Sequence, residues 1–230
     1  MSEVLDTSIE CALFDLDGTL IDTAPDFVIA LNKLRAEQAQ APINEGVITR
    51  TVSDGAKALV KLGFDHEEDS AEFNELHSRL LTLYLEQIEE TQSRLYPGID
   101  SLLDALDSAE IPWGIVTNKP RLYAVALLSR LGLLERCPVL VCPDDVTDKK
   151  PHPESLLVAL QTLDRDTERC VYFGDHLRDM QAAKNADVIA IAATYGYLAE
   201  GVEPASWPAD FILSQPQQAI SLLNLLKFSQ

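Results

Sequence analysis

Basic residues are scarce in this chain of 230 residues. Lys and Arg number 18 against 37 Asp and Glu, which leaves a formal net charge of −19. A surface of this sign repels phosphate backbones and anionic lipid headgroups, so we expect neither nucleic acid nor an anionic membrane as a partner. Positive charge for a small anionic ligand must therefore come from the binding site itself.

Long apolar runs are also lacking. No stretch approaches the roughly 18 uninterrupted apolar residues that indicate a membrane-spanning helix, so no span is predicted. The first ten residues are acidic and do not have the basic-then-apolar form of a signal peptide, so we expect no secretory leader.

Cysteine is limited to four positions: Cys11, Cys137, Cys142 and Cys170. The first and last fall in or beside apolar runs, where a cysteine usually behaves as a small buried hydrophobe. The spacing of the middle two does not match a zinc-binding pattern. We therefore expect structural thiols and a reducing, cytoplasmic location.

One stretch, residues 11–20 (CALFDLDGTL), organises the rest of the chain. Its apolar run predicts a buried strand that ends at Asp15, and ligands of open α/β sheets bind at such carboxyl ends. Residues two apart in an extended chain point to the same side, so Asp15 and Asp17 are predicted to share one small space. Two unpaired carboxylates so close together repel each other.

The remaining sequence divides into a helical block and an alternating region. Residues 22–92 carry helical spacing with no strand signal, whereas strands and helices alternate beyond residue 96. This alternation predicts an α/β fold with a doubly wound parallel sheet. We expect a core domain of residues 1–21 and 93–230, and a helical insertion of residues 22–92 placed as a lid over the site.

Polar residues follow each predicted strand of the core. Thr117 and Asn118 follow the second strand, Lys150 lies in the turn after the third, and Asp175 ends the fourth, with Asp179 about one helical turn further on. The carboxyl ends of parallel strands share one edge of a sheet, so these side chains are predicted to converge on the aspartate pair.

This set of side chains favours phosphoryl chemistry. Asp15, Asp17 and Asp175 offer the hard oxygen ligands that hold Mg²⁺, and the cation would relieve their repulsion. One carboxylate can act as a nucleophile and a second as a general acid and base. Thr117, Asn118 and Lys150 can donate hydrogen bonds to phosphoryl oxygens.

The chain resembles the haloacid dehalogenase-like phosphatases. The resemblance rests on four motifs that occur in the family's order and cover the core from about residue 11 to 192. They are Phe14-Asp15-Leu16-Asp17-Gly18-Thr19-Leu20, Thr117-Asn118-Lys119, Lys150-Pro151-His152-Pro153, and Gly174-Asp175 with Asp179. It implies a Rossmann-like core with an all-helical cap domain between the first and second motifs.

The resemblance also implies roles in catalysis. Asp15 would be the nucleophile that forms an aspartyl-phosphate intermediate, and Asp17 the general acid and base. Thr117 and Lys150 would bind the phosphate, with Asn118 helping to position phosphate or Asp15. The reaction would be hydrolysis of a phosphomonoester of a small metabolite.

The metal site follows from the same resemblance. The side chains of Asp15 and Asp175 and the backbone carbonyl of Asp17 would hold Mg²⁺. Asp179 would orient these groups without binding the ion directly.

Within the family, the chain is most similar to the phosphoglycolate phosphatases. Gly174 to Asp179 and Tyr195-Gly196-Tyr197 are similar to a sub-branch that contains N-acetylmuramic acid 6-phosphate phosphatases. His176 departs from the Ser or Thr that is more common in phosphoglycolate enzymes, so both substrates remain alternatives. A β-phosphoglucomutase-like phosphomutase is a third. Asp17 argues against dehalogenation, because a halide leaves without a proton.

The helical insertion contains one candidate substrate loop. Similar caps present such a loop to the nucleophile, and Arg50 with Ser53, Asp54 and Gly55 could form it here. The same residues also fit an ordinary helix start. His66 and His77 are interpreted as surface residues, and no feature of the sequence indicates an oligomeric state.

Overall fold

The computed structural model describes residues 8–226. These residues form strands β1 (Cys11–Phe14), β2 (Ile21–Asp22), β3 (Arg94–Leu95), β4 (Trp113–Val116), β5 (Leu140–Val141), β6 (Cys170–Gly174), β7 (Ile189–Ala193) and β8 (Phe211–Leu213). The helices are α1 (Ala24–Glu37), α2 (Glu45–Thr49), α3 (Ala56–Gly63), α4 (Ala71–Ile88), α5 (Ile99–Ser108), α6 (Arg121–Arg130), α7 (Glu154–Leu163), α8 (Leu177–Asn185) and α9 (Ala219–Leu225).

Six strands form one parallel sheet in the order β5-β4-β1-β6-β7-β8. The first strand of the chain, β1, therefore lies inside the sheet. All four of its residues are buried, and they alternate between two apolar cores: Ala12 and Phe14 belong to one, Cys11 and Leu13 to the other. Helices cover both faces of the sheet, as the continuous apolar runs require. The predicted α/β fold with a doubly wound parallel sheet is confirmed.

Helices α1–α4 form the insertion between β2 and β3. These two short strands pair antiparallel, with Ile21 opposite Leu95 and Asp22 opposite Arg94, and so bring the two ends of the insertion together. The sequence did not predict this small sheet, nor the five-residue helix α2. The long helices α1 and α4 pack on each other, and the rings of Phe27 and Tyr84 stack 3.9 Å apart.

A buried carboxylate ties the end of the insertion back to its beginning. Asp26, on the first turn of α1, is fully buried. It accepts hydrogen bonds from the Gln92 backbone N–H (2.8 Å), the Ser93 hydroxyl (2.5 Å), the Thr91 hydroxyl and the Gln87 side-chain amide (3.4 Å). These donors satisfy a charge that would otherwise be costly to bury.

The expectation of free thiols is confirmed. Cys11, Cys142 and Cys170 are buried, Cys137 is partly buried, and none is in a disulfide. Burial raises the pKa of the Cys137 thiol to about 11 and that of Cys142 to about 12. Within residues 8–226, no helix has both the length and the apolar character needed to cross a membrane.

Candidate active site

A cavity of about 390 Å³ lies where the carboxyl ends of β1, β4 and β6 meet the helical insertion. Its lining includes all the sequence-predicted residues of the strand ends except Asp179: Asp15, Asp17, Thr117, Asn118, Lys150 and Asp175. Convergence follows from the parallel sheet, because β1 is paired with both β4 and β6. The catalytic and binding roles of these residues stay predictions at this point.

Lys150 is the buried cation at the centre of this edge. Its Nζ lies 3.0 Å from Asp15 Oδ1 and 2.8 Å from Asp179 Oδ1, and it donates to the Val116 carbonyl (3.0 Å) and the Tyr172 hydroxyl (2.6 Å). Burial alone would lower the pKa of Lys150, but the charges of Asp15 and Asp179 outweigh it and raise the pKa. The lysine therefore stays charged beside Asp15.

Asp15 is mostly buried but opens into the cavity. Its Oδ1 accepts the Leu16 backbone N–H at 2.8 Å as well as the Lys150 ammonium. Burial raises the pKa of Asp15 to about 6; the charge of Lys150 opposes that rise, and the nearby Asp179 and Asp17 add to it. At neutral pH the carboxylate is therefore largely ionised, in a place where positive charge stabilises it.

Asp175 has no salt bridge among the described residues, unlike Asp15, Asp17 and Asp179. Its Oδ2 accepts hydrogen bonds from the Ser53 hydroxyl (2.7 Å) and the Tyr197 backbone N–H (2.9 Å). Its Oδ1 is buried and has no hydrogen-bond partner among the described residues. Burial, with the charges of Asp15 and Asp179, raises the pKa of Asp175 well above its ordinary value.

Three carboxylates form an acidic cluster. Ligand atoms of Asp15, Asp175 and Asp179 lie within 4.8 Å of one another. Asp179 is fully buried, with Oδ1 against Lys150 and Oδ2 accepting the His176 backbone N–H at 3.0 Å. The unpartnered Oδ1 of Asp175 and the repulsion within the cluster suit a hard cation.

Gly18 allows the turn after β1 to approach this cluster. Its φ is +77°, and a Cβ at this position would lie 2.0 Å from Asp175 Oδ2. A side chain there would therefore displace Asp175, so the glycine that follows the aspartate pair is required by space as well as by backbone conformation.

Asp17 is held by two donors on one oxygen. Its Oδ1 accepts the Thr23 hydroxyl at 2.5 Å and the Lys119 ammonium at 2.8 Å. Thr23 stands immediately before α1, where a threonine side chain commonly caps a helix, but here its side chain does not cap α1. The hydroxyl binds Asp17 instead. No role was predicted for Lys119 from the sequence, although it lies within the second motif.

Thr117 and Asn118 lie at the turn after β4. Thr117 is buried, and its Oγ1 accepts the Lys119 backbone N–H at 3.1 Å, which leaves its own proton available to a ligand. The Asn118 side-chain amide donates to the Lys150 carbonyl at 3.1 Å. Asn118 therefore joins the segment after β4 to the segment that carries Lys150.

The predicted substrate loop lines two adjoining cavities. Ser53, Asp54 and Gly55 line the main cavity, and Ser53 also contacts Asp175. Arg50 is exposed and lines an adjoining cavity of about 190 Å³, together with Ser53 and Asp54. Ser53 and Asp54 belong to the 3₁₀ turn Val52–Asp54 and therefore lie between the two cavities.

His176 joins the core to this loop. Its Nδ1 accepts the Arg178 backbone N–H at 3.1 Å, which caps α8, and its Nε2 lies 3.4 Å from Asp54 Oδ1. The Arg178 guanidinium donates to the Ser53 carbonyl. Burial, together with the charge of Arg178, lowers the pKa of His176.

The insertion supplies a wall of the cavity that the sequence did not reveal. It is formed in part by Phe27, His77, Leu81 and Tyr84, with Tyr123 from the core beside them. His77, interpreted from the sequence as a surface residue, is partly exposed and also lines this cavity. Helical spacing placed Tyr84 on the buried face of α4 but gave no sign that this face also meets the site.

A doubly wound parallel sheet with aspartates after β1 and β6 and a buried lysine between them is the arrangement of one class of hydrolases. A family model described as haloacid dehalogenase-like hydrolase matches residues 12–193, and the chain belongs to this family. The resemblance inferred from the four motifs is confirmed.

Named relatives align over nearly the whole chain. It is 42% identical to an N-acetylmuramic acid 6-phosphate phosphatase of Pseudomonas aeruginosa, over 94% of this chain and 95% of that protein. It is 39% identical to a phosphoglycolate phosphatase of Xanthomonas campestris pv. campestris, over 90% and 92%. The crystal structure of a predicted phosphoglycolate phosphatase from Haemophilus somnus has the same fold, with a TM-score of 0.82, 24% identity, and coverage of 94% and 98%.

Proposed function

We propose that this protein hydrolyses phosphomonoesters of small metabolites through an aspartyl-phosphate on Asp15. The observation that carries the proposal is the pairing of Asp15 with Lys150: a largely ionised carboxylate faces a cavity, with a buried ammonium 3.0 Å from its Oδ1. A nucleophile needs this exposure, and the incoming phosphoryl oxygens need this charge.

The chain's own groups account for both half-reactions. Asp15 attacks phosphorus, and the bond from phosphorus to the ester oxygen breaks while Asp17 gives that oxygen a proton. Asp17 then takes a proton from water, whose oxygen attacks phosphorus and releases inorganic phosphate from Asp15. Lys150 and the Thr117 hydroxyl bind the phosphoryl oxygens throughout, and Asn118 holds the Lys150 segment in position.

Mg²⁺ is the proposed cofactor. The unpartnered Asp175 Oδ1 and the raised pKa values of Asp15 and Asp175 support a cation there. Asp15, Asp175 and the Asp17 carbonyl would hold it, and Asp179 would orient Lys150. The ion, when bound, balances the charge of the phosphoryl group.

The substrate proposal follows the relatives. A phosphoglycolate phosphatase-like activity is supported by the Xanthomonas relative, and activity on N-acetylmuramic acid 6-phosphate by the Pseudomonas relative. The cavity of about 390 Å³ favours the second candidate, because cavities of roughly 300–1,000 Å³ take whole small-molecule ligands larger than a two-carbon acid.

The insertion is proposed to act as a cap domain, with boundaries at residues 22 and 92. Ser53, Phe27 and Tyr84 all belong to it and line the cavity, so it would select the substrate. Four free thiols and a metabolite substrate favour the cytoplasm as the location.

The test is the Asp15→Asn variant. We expect it to release no inorganic phosphate from 2-phosphoglycolate, N-acetylmuramic acid 6-phosphate or p-nitrophenyl phosphate, while Asp65→Asn, at an exposed position, retains wild-type activity. More than a few per cent of residual turnover in Asp15→Asn would exclude Asp15 as the nucleophile. If the wild-type enzyme isomerises a sugar phosphate without releasing inorganic phosphate, the protein is instead a phosphomutase.

A further inference from the structure

Lys119 is a buried ammonium whose hydrogen-bonding capacity is not fully used. Its side chain is 5% exposed, and one of its three N–H groups donates to Asp17 Oδ1 at 2.8 Å. The Nζ atom lies 4.5 Å from the ring centroid of Tyr84 and 4.9 Å from that of Phe27, and these rings stabilise the charge. A second N–H can face the Tyr84 hydroxyl oxygen, which leaves at least one donor without an oxygen acceptor among the described residues.

Tyr84 adds a second unused donor at the same place. The residue is 1% exposed, and its hydroxyl donates to no acceptor among the described residues, although its oxygen lies near the Lys119 ammonium. Burial raises the pKa of this hydroxyl, and the nearby charge of Lys119 only partly offsets the rise, so the group keeps its proton. Lys119 and Tyr84 both line the main cavity.

Buried donors without partners carry a free-energy cost of desolvation, and native proteins rarely leave them so. Two such residues side by side in a cavity therefore indicate a ligand group that accepts several hydrogen bonds. When Asp17 carries the proton that it is proposed to give to the ester oxygen, the charge of Lys119 is no longer balanced by Asp17 and matches a monoanion. The position matches the leaving group, because Lys119 contacts Asp17, the residue proposed to protonate the ester oxygen.

We propose that Lys119 Nζ and Tyr84 Oη form a subsite for a carboxylate carried by the leaving group. The substrates would then be phosphomonoesters of hydroxy acids, including acidic sugars. Phe27 and Leu81 line the same cavity and would pack against the carbon skeleton. The proposal rests on the phosphatase function proposed above and names the substrate class of that site.

The test compares substrates that differ in the carboxylate. N-acetylmuramic acid 6-phosphate and N-acetylglucosamine 6-phosphate differ by the lactyl group that bears it; 2-phosphoglycolate and 2-hydroxyethyl phosphate form a smaller pair. In at least one pair, we expect the wild-type enzyme to hydrolyse the member with the carboxylate with a kcat/KM about 10-fold higher or more. A hydrogen bond to a charged group is strong enough to give a preference of this size.

Tyr84→Phe removes the hydroxyl and keeps the ring that stacks on Phe27. We expect it to raise KM for the favoured carboxylate substrate by about 10-fold, with KM for p-nitrophenyl phosphate unchanged. Tyr123→Phe is the matched control, because Tyr123 is partly exposed and lines the same cavity but does not belong to the proposed subsite. Lys119→Gln should remove the preference for the carboxylate and also lower kcat, since Lys119 contacts Asp17.

Two results would overturn the subsite. Equal kcat/KM for both members of each pair would do so, and so would Tyr84→Phe kinetics equal to wild type on the preferred substrate. If Lys119→Gln lowers kcat for every substrate by one factor without changing the preference, Lys119 only positions Asp17, and the subsite is wrong. p-Nitrophenyl phosphate has no carboxylate, so its hydrolysis by the wild type tests the proposed phosphatase function without the subsite. If the wild type hydrolyses it, the results above concern the subsite alone.

Discussion

Thr23 donates its hydroxyl hydrogen to Asp17 Oδ1 over 2.5 Å instead of capping α1. Lys119 donates to the same oxygen, and Asp17 Oδ2 has no hydrogen bond within the described part of the chain. The arrangement leaves Oδ2 as the oxygen that can exchange a proton with the ester or with water. It also ties this carboxylate to the start of the insertion.

Asp17→Asn should slow turnover of alkyl phosphates by about 10²–10⁴-fold, because the amide retains the shape of the carboxyl group but transfers no proton. The measurement is kcat for phosphate release from 2-phosphoglycolate or N-acetylmuramic acid 6-phosphate. Circular dichroism should match that of the wild type.

The leaving group provides the control for this variant. p-Nitrophenolate leaves without a proton, so formation of the aspartyl-phosphate from p-nitrophenyl phosphate should be much less affected, and a burst of p-nitrophenol should precede slow turnover. Equal slowing of the burst for aryl and alkyl esters would mean that Asp17 is not the general acid.

Mg²⁺ should stabilise the folded protein independently of activity. At a concentration about 100-fold above its Kd, a ligand of the native state adds about 2.7 kcal/mol, which raises Tm by about 5–10 °C for a chain of this size. Asp175→Asn should lose most of that shift. EDTA should abolish the phosphatase activity, and added Mg²⁺ should restore it. If Mg²⁺ does not change the Tm of the wild type, the metal site is excluded.

Without the metal ion, the stability of the folded protein should depend on pH through Asp15. Its pKa rises from the ordinary 3.8 to about 6 on folding, so ionisation of Asp15 destabilises the native state above pH 6. This destabilisation is relieved as the pH falls from 7.5 to 5, because the folded state then takes up the proton more readily than the unfolded chain.

Comparison with Asp15→Asn isolates this contribution. Burial lowers the pKa values of His77 and His176, so these two residues destabilise the folded state as the pH falls, because the unfolded chain binds their protons first. The Tm difference between Asp15→Asn and wild type, in EDTA, should therefore be larger at pH 7.5 than at pH 5. A difference independent of pH would contradict the raised pKa of Asp15.

Asp26→Ala should destabilise the fold by about 3 kcal/mol or more, because Gln92, Ser93 and Thr91 lose a charged acceptor in a buried place. Urea unfolding gives the free energy. Asp65→Ala, at an exposed position, should stay within about 0.5 kcal/mol of wild type. A similarly small effect of Asp26→Ala would mean that water replaces the carboxylate without cost.

The sequence predicted the strand ends well because each polar residue follows an apolar run. Asp15, Thr117 and Asp175 come directly after β1, β4 and β6, and a parallel sheet brings such positions to one edge whatever the helices do. Lys150 follows the same logic through the turn before α7. These predictions depended on local pattern and on one topological rule.

The remaining contacts depend on distances that no local pattern encodes. Tyr84 shows helical spacing, but its approach to Lys119 depends on how α4 packs against the core. Thr23 looks like a helix cap, and the nearby carboxylate of Asp17 takes its hydroxyl instead. Strands of two residues, such as β2 and β3, carry too few residues for any periodicity.

The position of β1 within the sheet has a consequence for synthesis. Its two neighbours are encoded far downstream, since Ala12 pairs with Trp113 and Cys11 with Cys170. A ribosome therefore exposes β1 and the whole helical insertion before β6 exists. Until β4 emerges, the nascent chain carries β1 as an unpaired apolar strand, and contacts so distant in sequence slow folding. Asp15 and Asp17 are made long before Asp179, and their surroundings are completed only when Asp179 has left the exit tunnel.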